Sequence, residues 1–378
     1  MSLAPLSSSP SRRRTEGGFT LIELMIGVVV GLVTTLAITQ ILLTSEGNKR
    51  TTASGSDAQV NGVLAVDTLQ DSIQAAGYGF TSLPKIIGCP LVANYNGAAV
   101  AGFPANLVPV IITDGASGAP DSIRIMSSSK QSFSVPINIV DPSFHVNDLS
   151  FPVNAVNGVA LGDLMVAAAD SVTNCEVFQA TATPITSPIA RADNAWNSAG
   201  FPDIPYPTNS FVINLGALSD ITYSVSAAGS LQSNKLVLSN TYVPSYTGNT
   251  DVYTNIVNMQ AYYGKASTIN GTSVVSAPID TWDTVLPTTN TQWLQVLAVK
   301  VAMVGRSDQY EKDIVTSDDL YWDVGANSPI TGTVTCPTSA NKCVKLIIPK
   351  TANSDTWKHY RYKVFDTVVP LRNMIWNS

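Results

Sequence analysis

From Phe19 to Leu43 the chain reads "FTLIELMIGVVVGLVTTLAITQILL", an apolar run whose only charge is Glu23. At about 25 residues it is long enough to cross a bilayer as one helix. No proline occurs between Pro10 and Pro84, so nothing there forces a break. Ahead of the run, Arg12, Arg13 and Arg14 form a positive cluster that the positive-inside rule keeps cytoplasmic. The rest of residues 1 to 18 is polar and loose, and "SSSPSRRR" is unsuited to a core element.

An ordinary secretory signal has a shorter apolar region that ends in a small-residue cleavage site. Here the small pair, Gly17-Gly18, precedes the apolar run. A cut after Gly18 removes the basic leader and retains the hydrophobic helix. The stretch "GGFTLIELMIGVVVG" resembles the class III signal of type IV prepilins and pseudopilins. That resemblance implies cleavage between Gly18 and Phe19 by a prepilin peptidase at the cytoplasmic face, with N-methylation of the new Phe19 amine.

Glu23 falls in the first turn of the mature helix, where a carboxylate interacts favourably with the helix N-terminus. At mid-bilayer a charge costs about 2.5–3.5 kcal/mol on insertion scales, and less near the end of the span. When such helices stack in a filament, Glu23 can meet the ammonium at Phe19 of a neighbour, which gives both a counter-charge and an axial register. The plainer alternative is an acid that snorkels to the interface.

From Thr52 onward the pattern becomes two-faced. Val63, Val66, Leu69, Ile73 and Ala76 recur at helical spacing, opposed by Asp67, Gln70, Asp71 and Gln74. Gly47 and Gly55 each weaken the middle by about 1 kcal/mol against alanine, so a bend or frayed turn is expected there. "GYGF", at Gly77 to Phe80, ends the element. Helical throughout, Phe19 to Ala76 spans about 87 Å, the length of a shaft rather than of a compact domain's helix. The expected division is a leader over 1–18, a transmembrane or filament-core helix over 19–46, its amphipathic continuation over 47–77, and a head over 78–378.

The head reads as short strands between turns. "DSIRIM", "DLMVAAA", "CEVFQAT" and "SFVINL" are β-prone runs bounded by Gly, Pro, Asn or Asp. Residues 221–239 read as a hairpin turning near Ala228-Gly229, and "TNIVNMQAYYG" (254–264) as a long strand. "WLQVLAVKVAMVG" (293–305) fits a buried helix or a strand, and alternating Leu297, Val299, Val301 and Met303 favour the strand. "YRYKVFDTVV" (360–369) closes the series. Residues 86–207 are less regular, either an elaborated loop layer or a second sheet. The fold class is therefore α+β and pilin-like: a long N-terminal helix, transmembrane below and amphipathic above, packed on an antiparallel β-rich head.

Charged residues make up 13% of the chain, against roughly 25% in an average soluble protein. Ser, Thr, Asn and Gln must cover the surface instead, which suits an extracytoplasmic β-rich protein. A formal charge of −6 argues against a nucleic-acid partner. Cys89, Cys175, Cys336 and Cys343 admit three disulfide connectivities. Cys336 and Cys343 flank "PTSANK", a loop that a bridge can close, which leaves Cys89 with Cys175; four buried thiols are the alternative. With no CxxC and no histidine close in sequence to a cysteine, a zinc site is not expected.

The segments "VNMQAYYG", "LQVLAVKVAMVGRS" and "YRYKVFDTVVPLRNMIW" are similar in order and pattern to PilW-type minor pilins. Many such relatives carry an acidic, glycine-rich loop after the Tyr-Gly pair that can hold calcium. Here "KASTINGTSVVSAPID" has no carboxylate before Asp280, so no metal and no cofactor are expected.

No GxSxG, HExxH or P-loop is present. His145, His359 and the Asp318-Asp319 pair read as ordinary loop or strand residues. Trp282, Trp293, Trp322, Trp357 and Trp376 read as packing residues rather than a sugar platform. The expectation is a non-enzymatic minor pilin that helps prime pilus assembly in a tip complex. Its partners are other major and minor pilins, the prepilin peptidase, the inner membrane and the assembly machinery. The head is periplasmic before assembly and at the cell surface afterwards. The alternatives are a J-like pseudopilin of type II secretion and a pilus-displayed surface-binding module.

Overall fold

The computed structural model describes residues 18–130, 135–140, 148–169, 174–198, 202, 205–207, 210–266, 278–350 and 355–375. The chain divides into two compact units, Met1–Ala53 and Ser54–Ser378, with the boundary inside one long helix. That helix, α1 (Leu21–Ala75), runs without interruption through Gly47 and Gly55, where the sequence suggested a bend. Once a helix is nucleated, adding a residue is cheap, so isolated glycines do not end it.

The first part of the head carries β1 (Leu91–Tyr95), β2 (Ala98–Ala99), β3 (Val110–Gly115), β4 (Ala119–Ser127) and β5 (Ile137–Asn138). It continues with β6 (Ser150–Phe151), β7 (Leu164–Ala168), β8 (Cys175–Gln179), β9 (Ile189–Ala190) and β10 (Phe211–Gly216). Six of these form a sheet in the order β2-β1-β8-β7-β10-β5, so the irregular region is a second sheet. Its pairs are antiparallel apart from β1 with β8. Phe151, Met165, Phe178 and Val212 pack in one core cluster, and Leu164, Val166, Val177 and Ile213 in another. β7 and β8 are buried along their whole length, the mark of a strand covered on both faces.

The second part carries β11 (Ser219–Val225), β12 (Ser230–Leu238), β13 (Pro244–Tyr246), β14 (Thr250–Thr254), β15 (Ile256–Lys265) and β16 (Thr281–Asp283). Then follow α2 (Asn290–Leu294), β17 (Val296–Arg306), β18 (Leu320–Gly325), β19 (Val334–Thr335), β20 (Lys342–Leu346), β21 (Tyr362–Pro370) and α3 (Arg372–Ile375). The run at 293–305 splits between two elements. Thr289 and Gln292 form a capping box that starts α2, and the alternating residues beyond it make the strand β17.

Two sheets carry the upper half of α1. One is β16-β15-β17-β21; the other is β13-β12-β11-β4-β3. Leu69 and Ile73 of α1, with Ala76 just after it, share a core with Val110, Ile123, Met259, Tyr263, Val299, Val301, Met303 and Val369. The opposite face of β15 and β17 buries Val257, Tyr262, Ala302 and Val304 against Trp322, Val344 and Leu346 of the small sheet β18-β20-β19. Both faces of β17 are thereby covered, so its burial is nearly continuous.

The expected stripe is largely the buried one: Leu69, Ile73 and Ala76 are buried and Val66 packs against the same core, whereas Val63 is 55% exposed and Ala58, Gly62 and Ala65 take the inward positions there. Gly305 explains the choice: a Cβ there would stand 3.0 Å from the Ala58 carbonyl oxygen and 3.8 Å from Gly62 Cα. Helix and strand approach too closely for a valine, and only small side chains fit.

Candidate processing and assembly site

Phe19 is 89% exposed, and a Cβ on Gly18 would meet nothing within 4 Å, so the Gly18–Phe19 link is open to attack. Gly17 and the arginine cluster lie outside the described residues. Thr20 caps α1. Its backbone N–H and its hydroxyl both donate to Glu23 Oε2, at 3.0 and 2.9 Å, and Glu23 N–H donates back to Thr20 Oγ1 at 3.3 Å. This is a reciprocal capping box, which satisfies donors that a helix end leaves unpaired. The pattern Thr-x-x-Glu stands in "TLIE", but from the sequence the acid was assigned to the helix N-terminus and to a neighbour's amine, not to Thr20. Among the described residues Glu23 Oε1 accepts no hydrogen bond.

Residues Leu21–Gly47 are long and apolar enough to cross a membrane, and none of that span is buried in the fold. Leu24, Ile26, Val29, Val33, Leu36 and Leu43 are each exposed, on every side of the helix. A helix apolar all round requires an apolar surrounding. Its hydroxyls are already paired for one. Thr34 bonds to the Val30 carbonyl, Thr35 to Leu32 at 2.9 Å, Thr39 to Thr35 at 2.7 Å and Thr44 to Gln40 at 2.9 Å. Back-bonding of this kind hides polar atoms that hydrocarbon would penalise.

In the head, the segments singled out by sequence have definite mechanical roles. Tyr263 is fully buried, and its hydroxyl accepts the Ile112 N–H at 2.6 Å, tying the two large sheets together. Gly264 leaves room for Trp282: a Cβ there would lie 2.7 Å from the indole. Asn373, of the Leu-Arg-Asn segment, donates from Nδ2 to the Ala76 carbonyl at 3.0 Å and to those of Gln74 and Ala75 at 3.4 Å. The end of the chain thus closes the C-terminus of α1, where the last carbonyls have no partner within the helix. Sequence reasoning missed this role, because a contact across 297 positions leaves no local signal.

The structure joins Cys89 to Cys175 and Cys336 to Cys343. Asp323, Cys336 and Cys343 form the one group of three potential metal ligands among the described residues, and with both sulfurs bridged only the carboxylate keeps ligand character. His359 stacks on Tyr310 and holds the Glu311 carbonyl at 2.8 Å, while His145 lies outside the described residues. Asp319 sits between Lys345 and Lys350, whose hydrogen bonds hold its carboxyl below the usual range. Trp293 and Trp322 are buried, Trp282 and Trp357 are half-buried, and Trp376 is outside the described residues, as are 267–277 of the loop after the Tyr-Gly pair. Asp121 differs from the other carboxylates. It is buried beside Asp114 and accepts the Gly115 and Ala261 N–H groups at 2.8 and 2.7 Å; burial pushes its carboxyl up to about 7.

Comparison with known families bears on both ends of the chain. Residues 13–39 match the prokaryotic N-terminal methylation motif. Residues 222–373 match the family described as type IV pilus-assembly protein W. Over these two segments the chain is similar to PilW-type type IV pilins. No curated protein and no solved structure gives a match. The second match begins in β11 and reaches Asn373, so it covers the β16-β15-β17-β21 sheet that carries α1 together with the residue that caps the helix, but not β3 and β4. The sheet built from β1, β2, β5, β7, β8 and β10 falls outside both matched segments. Pilins of these families are structural components of pili, and the apolar helix with its methylation motif points to membrane anchoring and association with a pilus.

Proposed function

We propose that this pilin is a minor subunit that helps prime filament assembly as part of a tip complex. Before assembly it is held in the inner membrane by α1, with the head on the periplasmic side. Prepilin peptidase cuts after Gly18, and the new Phe19 amine is methylated. Glu23 then serves the neighbouring subunit: one carboxylate oxygen stays with Thr20, and the other accepts the Phe19 ammonium of the next helix. The observation that carries this reading is the exposed Gly18–Phe19 link directly ahead of a Thr20–Glu23 capping box, at the head of an apolar span, Leu21–Gly47, that the fold does not bury. Its partners are other major and minor pilins and the assembly machinery.

Replacement of Gly18 tests it. In cells that express Gly18→Leu, the chain is expected to remain at precursor size and surface pili to be lost. A Gly18→Leu chain that migrates at the size of the wild-type product, with normal piliation, contradicts the reading.

A further inference from the structure

Beneath the turn between β3 and β4, a cavity of about 390 Å³ opens between the sheet of β15 and the small sheet of β20. Its size is at the lower end of the range for small-molecule sites, roughly 300–1,000 Å³. Asp114, Gln260, Tyr262, Thr284, Thr331 and Lys345 supply the polar wall, and Val334 and Val344 an apolar one. Tyr262 is the informative member. The residue is 6% exposed, and its hydroxyl, which keeps contact with solvent at the cavity wall, makes no hydrogen bond among the described residues. A tyrosine that buries its ring and leaves its O–H open offers that donor to whatever enters. Burial and the charges of Asp121 and Asp114 keep the proton on this hydroxyl, so it is a standing donor. Gln260 commits Nε2 to the Ala119 carbonyl at 2.6 Å and to Asn258 Oδ1 at 3.1 Å, which leaves its Oε1 as an acceptor.

We infer that this cavity binds a neutral polyhydroxylated ring, a monosaccharide unit. The wall offers acceptors in Asp114 and Gln260, a donor in Tyr262 and an apolar patch in the two valines. A pyranose presents the complementary set, hydroxyls around its rim and C–H groups on its face. A divalent cation would find a single carboxylate on the wall, far short of the six to eight oxygens that calcium takes. An anion would meet Asp114.

Saturation-transfer-difference NMR on the full chain, held in a non-glycosidic detergent, tests the inference with D-glucose, D-galactose and N-acetyl-D-glucosamine at millimolar concentration. Tyr262→Phe removes one oxygen that holds nothing in the fold, and Asp114→Asn neutralises an exposed acid. Transfer to at least one sugar is expected. Affinity should fall about tenfold or more in each variant, each melting at the wild-type temperature. Absence of transfer to all three sugars overturns the inference, as does transfer that is undiminished in both variants. A calcium-dependent rise in melting temperature that Asp114→Asn abolishes, with no sugar signal, overturns it in favour of a cation.

Discussion

The ring of Phe365 occupies the place a side chain at position 62 would need: a Cβ built on Gly62 falls 2.2 Å from Phe365 Cε2. Phe365 pairs with Met303 across the β17–β21 ladder and so stands on the sheet face that carries α1. Gly62→Ala is therefore expected to destabilise the head by about 1–3 kcal/mol through overpacking, although alanine is the better helix former by about 1 kcal/mol. Val63→Ala, one position along on the exposed side, is expected to stay within about 0.5 kcal/mol. Thermal melts of the two variants check both the size and the direction.

Asn373 is expected to matter for α1 out of proportion to its place near the end of the chain. Asn373→Ala leaves the Ala76 carbonyl without its 3.0 Å donor, at a cost of about 1 kcal/mol. Hydrogen exchange is the direct readout: amides in the last turn of α1 should lose protection, and those near Gly62 should keep theirs.

The two bridges close loops of very different length. Cys89 and Cys175 are 86 positions apart, and Cys336 and Cys343 only 7. If loop entropy dominates, replacing the first pair by alanine costs about 4.6 kcal/mol and replacing the second about 2.4. Denaturant unfolding of the two double variants should rank them in that order.

Asp121 gives the head a pH dependence of unusual sign. The carboxyl sits at about 7 in the fold, against an ordinary value of 3.8. The folded chain therefore keeps a proton that the unfolded chain has released, and this contribution to stability is full below the ordinary value and lost as pH rises to about 7. The other titrating groups are shared by wild type and Asp121→Asn, so they cancel in the difference between them. The deficit of Asp121→Asn should be largest near pH 4 and shrink toward neutrality in paired melts.

The strands that carry α1 were legible because hydrophobic alternation in Leu297–Met303 and Tyr362–Val369 states which face is inward. In the sheet outside the matched segments the runs of β7, β8 and β10 were legible as strands, but their assembly into one sheet was not: β7 and β8 are buried on both faces and show no alternation, while β2 and β5 are too short to carry a pattern. The α1 stripe was misread only at Val63, because periodicity ranks valine above glycine, whereas the close approach at Gly305 ranks them the other way. At the N-terminus the sequence was informative about residues and incomplete about mechanism. Glu23 was evident as an exception in an apolar run, and its pairing with Thr20, though the Thr-x-x-Glu spacing is there, went unread.

The proposed processing is tested most directly by intact mass spectrometry of the chain extracted from membranes of cells that make prepilin peptidase. The expected product begins at Phe19, carries one added methyl group and retains the whole of Leu21–Gly47. A product that begins beyond Gly47, or an unprocessed chain with the leader still attached, contradicts it.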